Sequence, residues 1–375
     1  MKLSQDRVEF RYFAKDMNKL YFLIAFVALF GWSIPKGSGQ DIHYSHITFS
    51  PIYTNPAFTG YFNGNLRLYA NYRNQFASVL GGSAFQTYSG SADVSIPVGI
   101  YGKDFVGAGV YAFHDRVGKP EDGGQFVTTS FGLSGSYSKA LAKNGNHALT
   151  LGVNAALLQR RFEGDELFFG SQFNPDNPEN PIPNVPVSEL ESGTLNYTNF
   201  DFSLGLIYLG KLSKSTSLFT GFTLAHILQP RWSFLESDEG KLPVRFGGQL
   251  GFNIKANKKL EVSPFVFYMH QGKIGEAVLG NLLDFRIVEY KGAETDLLLG
   301  TYFRTLNSPS QAFSFESFIL LIGVDYTDLR LAFSYDAHFG GLRSVAKSNS
   351  AFEVSLQYTM NFLSAKSITR NCPTF

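Results

Sequence analysis

From Asn65 to the neighbourhood of Phe362 the chain repeats one pattern: apolar and polar residues alternate, a turn or loop follows, and the alternation resumes. Val127 to Ser138 sets Val127, Thr129, Phe131, Leu133 and Tyr137 against Thr128, Ser130, Gly132, Ser134, Ser136 and Ser138. Val244 to Lys255, Leu329 to Phe339 and Phe352 to Phe362 do the same. A period of two is that of an extended strand with one apolar and one polar face. Less regular segments at 65–75, 84–96, 105–114, 148–160, 199–209, 217–228, 260–269, 278–289, 296–304 and 313–325 bring the number of strands to about fourteen. No amphipathic helical pattern follows Gly39.

Which face is wet follows from the connections rather than from any one strand. Outer-membrane barrels have short periplasmic turns and longer extracellular loops. If the first strand runs outward, the inner turns fall at 97–103, 140–146, 210–215, 256–259, 291–294 and 326–328, all compact. The outer connections fall at 115–124, 161–198, 229–242, 306–311 and 340–349 and are mostly longer. A soluble sandwich has no reason to sort its loops this way. The expectation is an all-β, transmembrane antiparallel up-and-down barrel of about fourteen strands over residues 65–364. In its first strand Leu66, Leu68, Ala70 and Tyr72 meet lipid while Arg67 and Arg73 point inward. Residues 40–64 are then a periplasmic lead-in and residues 365–375 a periplasmic tail, placed to meet a periplasmic partner or to plug the lumen from below.

Composition supports the barrel. Charged residues make up 17% of the 375, aromatics 15%, and the chain holds 37 Phe, 37 Gly and 19 Tyr without long apolar runs. A soluble protein this rich in Phe needs a very large core, whereas a barrel places such residues on its lipid face and in interfacial girdles. The exception is Leu20 to Trp32, an apolar run behind Lys15 and Lys19 and ahead of Gly37-Ser38-Gly39. It reads as a secretory signal peptide over residues 1–39, with Met17 a possible true start; an N-terminal anchor helix is the other reading.

Candidate chemistry is sparse. A net charge of +1 gives no reason to expect nucleic acid. There is no G-x-S-x-G elbow, and the seven histidines, at 43, 46, 114, 147, 226, 270 and 338, have no metal-binding spacing on a helix. No catalytic residue, metal or cofactor is expected. The charged residues of the polar faces say more. Folding the first two strands about a turn near Gly81 pairs positions whose numbers sum to about 160, which sets Arg67 opposite Asp93. The last strand must close on the first, which brings Glu353 and Asp336 toward Arg73. These five residues form an expected lumenal charge network, read either as a packed structural interior or as a polar lining that selects a solute. The loop Ser171 to Gly193, with Pro175, Pro178, Pro181, Pro183 and Pro186, is either an external contact or a plain surface loop. The lone cysteine, Cys372, forms no internal disulfide; it either pairs with another chain or stays a buried thiol.

Several stretches, in order, resemble a known family. "HYSHITFSPIYTNPAFTG" from His43, "NYRNQF" from Asn71 and "FQTYSGSADVSI" from Phe85 are similar to the N-terminal signature of the PorP/SprF outer-membrane proteins of Bacteroidetes. "LPVRFGGQLGFNI", "GTYFR", "FSYDAHFGGL", "AFEVSLQY" and the closing "CPTF" continue the likeness over the whole mature chain. It departs at Phe76, where the family more often has Trp, and at Thr374, where it more often has a basic residue. The resemblance implies an integral outer-membrane component of type IX secretion and, in gliding species, of gliding motility. Its implied partners are a secreted surface adhesin, periplasmic secretion-ring proteins, or both, besides outer-membrane lipid. The implied contact candidates are Asn55, Pro56, Phe58, Asn74, Gln75, Cys372, Pro373 and Phe375. The alternative is a diffusion porin or small-molecule transporter.

Overall fold

The computed structural model describes residues 41–45, 49–98, 104–120, 124–142, 145–163, 195–234, 240–290, 293–308, 311–338 and 350–361. In them the alternating segments form β1 (Leu66–Gln75), β2 (Phe85–Val98), β3 (Asp104–Lys119), β4 (Gly124–Ala140), β5 (His147–Glu163), β6 (Leu195–Lys211) and β7 (Thr216–Ala225). The series continues with β8 (Arg245–Lys255), β9 (Leu260–Gln271), β10 (Ile274–Tyr290), β11 (Ala293–Ser308), β12 (Gln311–Tyr326), β13 (Leu329–His338) and β14 (Ser350–Met360). Every strand pairs antiparallel with its sequence neighbours, and β14 closes on β1 with Leu66 opposite Met360 and Arg73 opposite Glu353. Closure leaves no unpaired sheet edge, the condition for crossing lipid with strands.

The two faces sort as the pattern requires. On β13, Leu329, Leu331, Phe333 and Tyr335 point outward and are exposed, while Arg330, Ala332, Ser334 and Asp336 are buried inside. On β5, Leu149, Leu151, Val153 and Leu157 face out, and Thr150, Asn154, Ala156 and Leu158 face in. The connections 212–215, 256–259 and 327–328 share one end of the barrel; the strand ends at Glu163, Leu195, Ala225, Arg245, His338 and Ser350, between which the chain runs longer, share the other. One connection at the long-loop end is tight: Gly272, at φ 61, helps turn β9 directly into β10.

Residues 41–64 are not a lead-in below the first strand. Of them, residues 41–45 lie inside the barrel toward its long-loop end, and residues 49–64 run on inside it to the short-turn end. Asp41 is held by Arg245 and Gln271, at the long-loop ends of β8 and β9. Farther down, Ser50 Oγ meets the Tyr69 hydroxyl at 2.8 Å, Thr59 Oγ1 meets Ser134 Oγ at 2.6 Å, and the Asn65 N–H donates to the Met360 carbonyl. The expected periplasmic segment is therefore corrected to a lumenal plug. The physical reason is reciprocal: the plug's apolar residues need a core, and the charged inner wall needs partners.

Local chemistry shapes the plug. Pro51 opens a single helical turn (Pro51–Thr54), and Pro56 opens a 3-10 turn (Pro56–Phe58), both at positions where the missing N–H costs nothing. The Asn55 side chain caps the second turn, accepting the Ala57 N–H at 2.9 Å. Each of three lumenal cores contains plug residues. Phe49 packs with Phe267, Met269, Leu298 and Tyr302; Ala57, Phe58 and Tyr61 pack with Phe105, Ile207 and Phe219; Ile52 packs with Tyr111, Phe113 and Leu158. Glycines on the wall make room. A Cβ at Gly152 would collide with the Ala57 backbone, and one at Gly205 with the Asn55 side chain.

Candidate functional site

The inner wall and the plug are joined by four arginines, Arg67 toward the short-turn end and Arg73, Arg304 and Arg245 toward the long-loop end. Arg67 projects inward from β1 directly opposite Asp93 of β2, and the two form a bidentate pair at 3.0 and 2.9 Å. The pair grips the plug, since Asp93 accepts the Gly60 N–H at 2.7 Å and Arg67 donates to the Phe58 carbonyl at 3.2 Å. Arg73, six residues on along the same inward face, lies 3.2 Å from Asp336 of β13 and 3.4 Å from Glu353 of β14. It also donates to the Ser45 hydroxyl, while Glu353 accepts the Ser45 N–H at 2.7 Å and the Asn71 amide at 2.7 Å.

Two further arginines belong to the site although the sequence reading did not single them out. Arg304 of β11 binds Asp336 at 3.1 Å and Glu276 at 3.4 Å, and donates to the Tyr44 carbonyl at 2.9 Å. Glu276 in turn meets His43 at 2.7 Å. Arg245 of β8 and His226 both reach Asp41 at 2.7 Å, and His226 bridges to Asp201 at 2.9 Å. Arg245 already stood on the polar face of its alternation and Arg304 in "GTYFR". Glu276 is a diagonal neighbour on the adjacent β10, but Asp336 lies two strands from β11 and Asp41 lies in the plug, which local pattern does not reveal.

In the latch formed by Asp41, His226 and Arg245, Asp41 and His226 lie outside the strands and Arg245 opens β8. Burial works against charging Asp41, but Arg245 and His226 outweigh it and hold the carboxyl well below the usual carboxylate range. Burial also opposes charge on His226, yet Asp41 and Asp201 push it up to about 9. At neutral pH this is a charged, hydrogen-bonded cluster.

The residues proposed as partner contacts fall in different places. Asn55, Pro56 and Phe58 are buried inside the lumen, where Asn55 donates to the Phe222 carbonyl at 3.2 Å and Arg67 takes the Phe58 carbonyl. In this structure these three anchor the plug from within the lumen. Asn74 is buried near the long-loop end and donates to the Tyr72 hydroxyl; Gln75 is half-buried and accepts from Arg73. Cys372, Pro373 and Phe375, like residues 1–39 and the proline-rich loop, lie outside the described residues.

The described residues line cavities at both ends of the lumen. One of about 260 Å³ lies at the long-loop end, above the first plug residues, between Phe76, Phe85, Trp232, Asp115 and Glu316. The other, of about 560 Å³, lies at the short-turn end among Lys255, Lys258, Lys259, Asp284, Asp296 and Arg330. Among the described residues no group of three or more His, Cys, Asp or Glu is arranged to hold a metal ion.

The family described as type IX secretion system membrane protein PorP/SprF matches residues 36–358. The chain belongs to that family. Among solved structures, this PorP/SprF barrel is similar to a FadL homologue of Pseudomonas aeruginosa, with a TM-score of 0.52 and 11% identity over 84% of this chain and 94% of the other. It also matches the toluene transporter TbuX of Ralstonia pickettii, with a TM-score of 0.49 and 11% identity over 87% and 96% of the two chains. At such identity the FadL homologue supports a common fold and nothing finer. No curated protein gives a significant match. Family and fold together make this PorP/SprF chain an integral outer-membrane component of the type IX secretion system.

Proposed function

We propose that this barrel is a non-enzymatic partner platform: it helps export or hold a secreted surface adhesin, or docks the periplasmic secretion ring, and does not conduct solutes. By the loop rule of outer-membrane barrels the long-loop end faces the cell exterior and the short-turn end the periplasm. The observation that carries the reading is the plug. Residues 49–62 contribute to the apolar core at several levels of the lumen, and arginines above and below tie the plug to the wall. A filled interior leaves the two mouths and the loops to meet other proteins. Family membership supports secretion components as those partners.

Affinity purification from native outer membranes tests this. Specific, stoichiometric recovery of one large secreted surface protein or of ring components is the expected result. Recovery of the barrel alone under conditions that keep other envelope complexes intact would count against the platform.

A further inference from the structure

The cavity at the long-loop end has a chemistry that the plug does not exhaust. Its two arginines, Arg73 and Arg304, are both buried and engaged: Arg73 by Asp336, Glu353 and Ser45, Arg304 by Asp336, Glu276 and the Tyr44 carbonyl. Of their nitrogens the buried ε N–H of Arg304 lacks a hydrogen bond, but Glu276 and Glu316 already face it, so the pair offers little to an incoming anion. Two carboxylates on its walls are in the opposite condition. Asp115 of β3 accepts the Thr87 hydroxyl at 2.6 Å and forms no ion pair among the described residues. Glu316 of β12 reaches the ε nitrogen of Arg304 only at 3.9 Å, and its Oε2 accepts no hydrogen bond. An ionised carboxylate has about four acceptor sites, so both retain spare capacity.

The rest of the lining is mixed: Asp41, His43, Gln75, Thr87, Thr128 and Glu276 are polar, while Ile42, Phe76, Phe85, Trp232 and Leu306 form an apolar side, with the Arg160 guanidinium already over the Trp232 ring at 3.9 Å. Aromatic faces attract cations and pack the methylene stem of a long basic side chain. A volume of about 260 Å³ is below the roughly 300–1,000 Å³ of pockets for drug-sized ligands, so the space suits one side chain rather than a lipid or a folded module. We propose that this cavity receives a lysine or arginine side chain presented by the extracellular protein partner, its cation drawn by the Asp115 and Glu316 carboxylates and its stem against the apolar side of the lining. The proposal rests on the platform reading and adds what the platform reads in its partner.

Trp232 supplies a reporter, because the only other tryptophan, Trp32, belongs to the expected leader. Protein purified from membranes is titrated with acetyl-Gly-Arg-Gly-amide and with acetyl-Gly-norleucine-Gly-amide, following Trp232 emission. The expected result is a saturable change with the arginine peptide, none with norleucine, and at least tenfold weaker binding in the Asp115→Asn, Glu316→Gln double variant. Equal responses to both peptides, or an unchanged affinity in the variant, would overturn the proposal. Unchanged heat-modifiable migration on gels verifies that the variant barrel has folded. The same variant in the affinity purification separates the two readings. A partner retained by the wild type and reduced by the variant supports the pocket, and one retained equally by both overturns it while leaving the platform standing. A wild type that binds the arginine peptide but recovers no partner supports the pocket and counts against the platform.

Discussion

Arg73 of β1 and Asp336 of β13 lie 3.2 Å apart although β14 runs between them, and Glu353 of that intervening strand shares the same guanidinium. The barrel seam, where the last strand meets the first, is thus bridged inside by one buried cation and two buried carboxylates. Removing one member of such a cluster leaves charge without compensation, typically costing about 3–5 kcal/mol. Arg73→Met should therefore lower the urea midpoint of the barrel in lipid vesicles strongly. Arg73→Met combined with Glu353→Met should recover part of the loss, which a double-mutant cycle would measure.

The plug fits because the wall lacks side chains where it passes. Gly152→Val places atoms where the Ala57 backbone runs, whereas Gly248 has nothing within 4 Å of an added Cβ. Limited chymotrypsin digestion of the folded barrel should leave the wild type and Gly248→Ala uncut at Tyr53, Phe58 and Tyr61. Gly152→Val should become sensitive at those residues.

The latch at the long-loop end has a definite pH window. Asp41 is shifted down, so its contribution is complete above its ordinary value of 3.8 and is lost as pH falls through its lower folded value. His226 is shifted up, so its contribution is complete below 6.5 and is lost as pH rises through about 9. Stability measured by urea midpoint should decline from pH 6.5 to 9.5, and His226→Gln should flatten that decline.

Much of this wall was legible beforehand, and the reason is geometric. A side-chain period of two and a closed sheet leave one choice of face per strand, which is why Leu331 and Arg330 could be assigned to opposite sides. A hairpin sum also predicts the Arg67 to Asp93 register, since neighbouring strands are nearest in sequence. The path of residues 41–64 was not legible. Tyr44, Phe49, Ile52 and Phe58 have no strand or helix period, and nothing local distinguishes a segment below a barrel from one inside it. The same holds for Arg245 with Asp41, whose pairing depends on how far the plug climbs.

The outward face makes its own prediction. Leu151 is 59% exposed on the outer wall of β5, next to the buried Thr150. Leu151→Arg should cost up to about 2–4 kcal/mol in lipid, depending on its depth, as lipid-facing arginines do in such barrels. The measurement is the folding free energy in vesicles. A cost near zero would place that face in water.

Planar-bilayer recording of the purified full-length barrel is the most direct test of the closed lumen. The filled interior predicts no steady conductance. Stable, ohmic channels in the wild-type protein would contradict it and favour a diffusion porin.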